Sequence, residues 1–228
     1  MRSTVTSVNL AHPRPNPHKR LVRLTGIDKR PTTEPVEVCA PGGRQSGLAG
    51  DFIGDRKHHG GDRQAVYAFQ REDLDAWSAE LDRQLPDGSF GENLTTRGID
   101  LNAARVGERW RIGSAEDEAE SVELEVTVPR IPCATFAGWL DERGWARRFT
   151  IAARPGTYLR VVRGGRIRTG DPLEVTFVPD HEVSVALVFR AITRERDQLP
   201  RLRPAWAYLE PETRELVEQG RTVALDGV

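Results

Sequence analysis

The clearest alternation in the chain runs over residues 122–128. There Val122, Leu124, Val126 and Val128 fall on one face and Glu123, Glu125 and Thr127 on the other. Period two predicts a strand. Pro129 and Pro132 end it, because proline donates no ladder hydrogen bond. The loop Pro129-Arg130-Ile131-Pro132-Cys133 then presents Cys133 just ahead of a helical pattern. Similar short runs predict strands at 4–10, 21–27, 35–38, 65–69 and 173–178, with 104–113 turning into another. Residues 12–18 are a proline-rich connector without periodicity. Residues 158–163, Gly164-Gly165 and 166–167 read as a hairpin. Residues 71–83 have helical period, with Leu74, Trp77 and Leu81 on one stripe. Two short helices follow at 136–143 and 145–152, broken at Gly144. Many short strands between Gly and Pro turns predict a closed or nearly closed β-barrel.

From residue 179 the pattern turns helical. Ser184 caps a run with Val185, Leu187, Val188 and Ile192, and two more short helical stretches follow, the last at 211–219. The chain is therefore divided into a β domain with its N-terminal extension, residues 1–178, and a small three-helix appendage, residues 179–228. Val185, Leu199, Leu202, Leu209 and their neighbours are too many for so short a segment to bury alone. It needs the rest of the chain or a second copy in a homodimer, with Trp206 as the expected anchor. Mixed charge and the lack of a basic recognition face argue against DNA binding by these helices.

Composition narrows the function. A formal net charge of −1 over 228 residues gives no bulk attraction for nucleic acid or an anionic membrane. No apolar run reaches the length of a membrane span, and the first ten residues do not read as a secretory signal. Cys39 and Cys133 make no disulfide framework, so a reducing cytoplasm is the expected compartment. Two cysteines alone do not hold an ordinary iron–sulfur cluster.

Candidate chemistry gathers in a few places. Cys133 beside Arg130 reads as a thiolate, a metal ligand or a nucleophile, or as a small buried hydrophobe. The glycine-rich stretch 42–61 runs into Lys57-His58-His59-Gly60-Gly61-Asp62-Arg63. Glycines let backbone approach a ligand closely, and histidines between Lys57 and Arg63 suit phosphate or a polar heteroaromatic ring. The competing reading is a polar surface loop. His58 and His59 face opposite ways in an extended chain, so a site needs at most one of them. Lys29 follows a strand directly and either enters an anion site or sits exposed. Glu92 and Asn93 offer an acceptor and an amide, or simply fix their own loop. Cys39 is read as structural.

Seven stretches in this order and spacing resemble a known family: Gly26-Ile27-Asp28-Lys29, Gly47-Leu48-Ala49-Gly50-Asp51, Lys57-His58-His59-Gly60-Gly61, Phe90-Gly91-Glu92-Asn93-Leu94, Val106-Gly107-Glu108-Arg109-Trp110, Pro129-Arg130-Ile131-Pro132-Cys133 and Gly170-Asp171. They resemble the MOSC domain, named after the C-terminal part of molybdenum cofactor sulfurase, and its YiiM-like branch in particular. The resemblance covers roughly residues 21–178, and the remainder resembles the three-helix tail of that branch. It implies a mainly β fold, a MOSC-type twisted β-barrel with short peripheral helices. It implies binding of the molybdenum cofactor (molybdopterin), with Cys133 as the motif cysteine that ligates molybdenum or takes part in sulfur transfer. Lys29, Lys57, Arg63 and Arg130 are then the cations for an anionic cofactor, with Asn93 a hydrogen-bond partner. His58 or His59 is the proton donor for N–O cleavage. Asp51 and Glu92 orient the cations.

The activity implied is reduction of N-hydroxylated compounds or bases. Because the sequence shows no flavin or iron–sulfur module, electrons are expected from a separate donor protein. The alternative is a sulfur carrier or cofactor-handling protein with a persulfide on Cys133. Two departures from the branch pattern stand out. Gly61 runs straight into Asp62 without an intervening residue, and an acidic insertion spans residues 116–120.

Overall fold

The alternation at 122–128 becomes the middle of a curled sheet. The computed structural model describes residues 2–19, 21–43, 45–113 and 120–225. Most of the acidic insertion lies outside the described residues. The strands are β1 (Thr4–Ala11), β2 (Arg14–Pro15), β3 (Leu24–Thr25), β4 (Lys29–Thr32), β5 (Val36–Val38), β6 (Val66–Gln70), β7 (Leu94–Arg97), β8 (Arg109–Ile112), β9 (Val122–Pro129), β10 (Thr157–Arg163), β11 (Gly165–Ile167) and β12 (Leu173–Phe177). The helices are α1 (Arg71–Glu80), α2 (Ala134–Leu140), α3 (Trp145–Ala152), α4 (Val185–Thr193) and α5 (Pro211–Gln219). Two 3₁₀ turns cover Asp62–Gln64 and Arg196–Ala205.

The main sheet has the order β12-β8-β9-β10-β6-β7-β1-β4. Its pairs are antiparallel except the parallel β6–β7. The expected barrel is not found as a closed ladder, since the margins β12 and β4 do not pair with each other among the described residues. β4 occupies only the second half of β1, at Val8–Ala11. The first half of β1 instead meets the turn before β12. Val5 N–H donates to the Asp171 carbonyl at 2.9 Å, and Gly170 N–H donates to the Val5 carbonyl at 2.8 Å. The sheet thus curls until its margins touch at one short bridge.

Two other expectations change. The hairpin over residues 158–167 does not form, because β10 pairs with β9 and β6 while β11 pairs with β5. Gly164 and Gly165 are needed for close passage rather than a tight turn. A Cβ on them would sit 2.6 Å from the Val38 carbonyl oxygen and 2.4 Å from that of Glu120. The strand expected at 21–27 shrinks to β3, which pairs with β2 inside the proline-rich connector.

Three hydrophobic clusters hold the fold. Val122, Leu124 and Val126 of β9 join Trp110, Leu159 and Val66 in the sheet interior. An aromatic cluster outside it contains Phe69, Trp77, Phe90, Phe136, Trp145 and Phe149. The third belongs mainly to the last fifty residues and includes Leu187, Val188, Leu199, Leu202 and Leu209, with Val106 from the turn before β8. Ser184 caps α4 by accepting from Leu187 N–H at 3.2 Å. This helix reaches all three clusters, sending Val185 to the first, Phe189 to the second and Leu187 to the third. Phe189, fully buried, anchors the segment. Trp206, the expected anchor, is only partly buried. The middle helical stretch is a 3₁₀ turn, as its internal Pro200 and Pro204 dictate.

Candidate functional site

One cleft, enclosing about 690 Å³ with the solvent at its mouth included, opens where distant segments meet. Its walls are Thr25–Lys29, the loop around Ser46 and Asp51–Asp55, the turn carrying His59 and Gln64, the strand residues Tyr67 and Tyr158, and the loop Arg130–Thr135. Backbone interlocking builds one wall. A Cβ on Gly26 would lie 2.1 Å from the Phe52 carbonyl oxygen, and one on Gly54 would lie 1.9 Å from that of Leu24. Only glycine permits β3 and the 52–54 loop to come so close.

Cys133 lies where β9 has ended and α2 begins, at the N-cap position of the helix, and its side chain is partly buried. Three residues earlier, Arg130 is 5 % exposed. Its guanidinium lies 4.2 Å from the Phe136 ring centroid and 4.9 Å from that of Tyr67. Nη1 donates to the Phe90 carbonyl at 2.5 Å, while Nε is buried without a partner. No carboxylate pairs with Arg130 among the described residues. Glu92 holds the turn that supplies Phe90, accepting from Gly88 N–H at 2.6 Å, Phe90 N–H at 2.9 Å and Thr95 Oγ1 at 3.0 Å. Burial pushes its carboxyl up to about 7.

Lys29 and Asn93 reach the cleft, and Asp51 gathers both. Lys29 Nζ donates to the two Asp51 oxygens at 2.5 and 2.6 Å, and Asn93 Nδ2 donates to Oδ2 at 2.9 Å. The Asn93 carbonyl accepts from Tyr67 N–H at 3.2 Å, so this amide is committed at both ends. Burial draws the Lys29 ammonium down, against the pull of Asp51, and the pair holds the Asp51 carboxyl low despite its burial.

The basic turn splits. His59 lines the cleft, and burial with the nearby Arg130 charge brings its imidazole down to about 4. It is therefore neutral at pH 7. His58 points outward, with Nδ1 3.0 Å from Asp55. Lys19 also reaches Asp55, at 2.8 Å. Burial alone would raise that carboxyl, but the hydrogen bonds from Lys19 and His58 win and hold it at about 2. Lys57 is exposed, and Arg63 turns away to donate to the Tyr208 carbonyl at 3.0 Å. Of the residues singled out in the sequence, the fold thus assembles Lys29, His59, Asn93, Arg130 and Cys133 and leaves His58, Lys57 and Arg63 off the cleft lining.

Tyr67 and Tyr158 went unread as site residues. They are register partners in the β10–β6 pair, with ring centroids 5.0 Å apart. Each sits second in its strand, and neither strand carries another tyrosine. Gln64 is a further lining residue, and its Oε1 is buried without a partner. The described residues hold no cluster of three His, Cys, Asp or Glu side chains fit for a metal ion, so a thiolate here would act as a single protein ligand. No described helix is long and apolar enough to cross a membrane.

The MOSC domain family profile matches residues 55–174, more than half of the chain, and spans the histidine turn, Asn93, Arg130 and Cys133. The chain belongs to the MOSC domain family. Its MOSC relatives include the uncharacterized protein YflK of Bacillus subtilis, 30% identical over 189 residues, which are 83% of this chain and 80% of that one. Protein YiiM of Escherichia coli is 29% identical over 132 residues, 57% of this chain and 56% of YiiM. A protein named reductase from Gibberella moniliformis is 30% identical over 138 residues, and the match spans only 23% of its length. Among solved structures, YiiM from Geobacillus stearothermophilus superposes with a TM-score of 0.75 at 24% identity, covering 96% of this chain and 98% of that one. At that identity the likeness speaks for the fold, a sheet-rich MOSC architecture with peripheral helices.

Proposed function

We propose that this MOSC protein binds the molybdenum cofactor in the cleft and reduces N-hydroxylated small molecules with electrons from a separate donor protein. One observation carries the reading. The Cys133 thiol and the buried Arg130 guanidinium, which no carboxylate neutralises, face the same cleft. A thiolate is a soft ligand suited to molybdenum. A desolvated guanidinium with a free N–H favours an anionic oxygen. The donor set therefore fits an anionic cofactor that brings its own metal. When bound, that group supplies the two-electron redox chemistry.

The chain's own residues do the rest. Cys133 holds the metal, and the Arg130 guanidinium offers an uncompensated positive charge at the cleft wall to an anionic group. Tyr67 and Tyr158 offer an aromatic surface for a flat ring. Lys29 has one N–H beyond the two given to Asp51. His59, neutral, exchanges a single hydrogen bond. The reductase of Gibberella, similar to this chain over 23% of its own length, supports the oxidoreductase class. The reading takes residues 1–178 as the cofactor domain and 179–228 as its helical appendage.

The test compares wild type with Cys133→Ser, both made in cells that build the cofactor. Wild type should carry close to one molybdenum per chain, and Cys133→Ser should lose most of it while remaining folded. Full retention by the variant refutes the ligand assignment. Failure of loaded wild type to reduce any hydroxylamine with a chemical reductant refutes the reductase reading. A transferable persulfide on Cys133, seen by mass, would favour the sulfur carrier instead.

A further inference from the structure

Reduction of a hydroxylamine consumes two electrons and two protons: R–NH–OH + 2 e⁻ + 2 H⁺ gives R–NH₂ + H₂O. The electrons come from the separate donor protein of the reading above, on which this inference rests. The protons need a source in the cleft, and most candidate donors are already committed. The Lys29 ammonium gives two of its three N–H groups to Asp51, and loss of its proton would leave that buried carboxylate without a counter-charge. The Tyr67 hydroxyl donates to the Pro155 carbonyl at 2.8 Å. His58 is paired with Asp55 outside the cleft. His59 lines it but carries no ionisable proton near pH 7.

We propose that Tyr158 is the proton donor for N–O cleavage, because its hydroxyl is the cleft phenol that the fold leaves without a hydrogen bond. Tyr158 lines the cleft with Cys133. Among the described residues its O–H has no hydrogen-bond partner, and it is not among the sealed polar atoms, so solvent reaches it. The ring packs against that of Tyr67 at an interplanar angle of 37°.

In the step, the N–O bond breaks and its oxygen leaves as water with the Tyr158 proton. The nitrogen takes the second proton from solvent, and solvent reprotonates the tyrosinate. A free phenol, at about 10, is a stronger acid than water, at about 15.7, and burial of Tyr158 narrows that gap.

Tyr158→Phe keeps the ring and removes only the hydroxyl. The probes are phenylhydroxylamine and its product, aniline. In loaded protein with a chemical reductant, kcat for phenylhydroxylamine should fall roughly 100-fold, with KM rising by no more than about 10-fold. Direct binding gives a second readout. The variant should bind phenylhydroxylamine about 5- to 10-fold more weakly and aniline equally well, since only the former offers the oxygen that Tyr158 meets. The melting temperature should not move. An unchanged kcat overturns the proposal, and so does equal weakening of both probes or of neither. If loaded wild type reduces no hydroxylamine, the reductase reading falls, while the binding contrast still decides whether Tyr158 contacts the hydroxylamine oxygen.

Discussion

Lys29 and Asp51 form a two-pronged ion pair at the floor of the cleft, with 7% and 1% of their side chains exposed. Two charges so far from water are held by each other, by Asn93 and by Ala11 N–H, which donates to Asp51 at 2.9 Å. Removing one partner strands the other in the interior. Asp51→Asn should destabilise the protein by about 3–5 kcal/mol in urea unfolding. Lys29→Met in the Asp51→Asn background should recover part of that loss. A double variant no more stable than Asp51→Asn would show that the pair is not coupled.

Glu92 and His59 set opposed pH dependences. The Glu92 carboxyl, about 7 when folded against an ordinary 4.5, favours folding at low pH, and that stability is lost as pH rises through 7. The His59 imidazole, about 4 when folded against 6.5, favours folding above pH 6.5, and that stability is lost as pH falls through 4. Each is worth up to about 3 kcal/mol. Asp73, raised, adds to the first trend, and His181, lowered, adds to the second. Between pH 4.5 and 6.5 the two cancel in wild type. Denaturant midpoints should therefore rise with pH in Glu92→Gln and fall with pH in His59→Gln. Parallel profiles for the two variants would contradict these environments.

Phe189 and Trp206 should separate sharply. Phe189 is fully buried and meets Phe149 edge-on at 6.1 Å, so Phe189→Ala should cost about 3–5 kcal/mol. Trp206 is partly exposed, with Arg214 over its ring at 5.7 Å, and Trp206→Ala should cost about 1 kcal/mol or less. Chemical denaturation of the two variants measures the contrast, and equal costs would reverse the assignment of the anchor.

Gly54→Ala tests the cleft wall. The new methyl would meet the Leu24 carbonyl at 1.9 Å, so β3 has to move. About 1–3 kcal/mol of stability should be lost, as in other overpacked sites. Proteolysis should then cut the chain between β2 and β3 faster than in wild type.

The sequence and the fold agree where the signal is local. The period of 122–128 appears as β9, the run 145–152 as α3, and Leu74 and Trp77 are buried in α1. Lys29, His59, Asn93, Arg130 and Cys133 were legible because motif order placed them together. What adjacency in sequence does not reveal is direction. Lys57 and His58 sit beside His59 yet face solvent, because Asp55 takes His58 and turns the chain. Arg63 follows the same turn, yet it donates to the Tyr208 carbonyl, 145 residues away in sequence. Tyr67 and Tyr158 meet only through strand register, which no local pattern encodes.

The reach of α4 into all three clusters bears on how the chain comes off the ribosome. The halves of the cleft, residues 16–67 and 130–158, are synthesised before Val185 and Phe189 exist to complete the first two clusters. The nascent chain therefore carries a half-built interior, with Phe149 and Val106 uncovered on the sides that α4 and its neighbours later fill. Long-range pairing of this kind folds slowly and exposes apolar surface while it waits. The first two clusters are therefore complete only once α4 has been made, and a product truncated before Val185 is a ready client for chaperones.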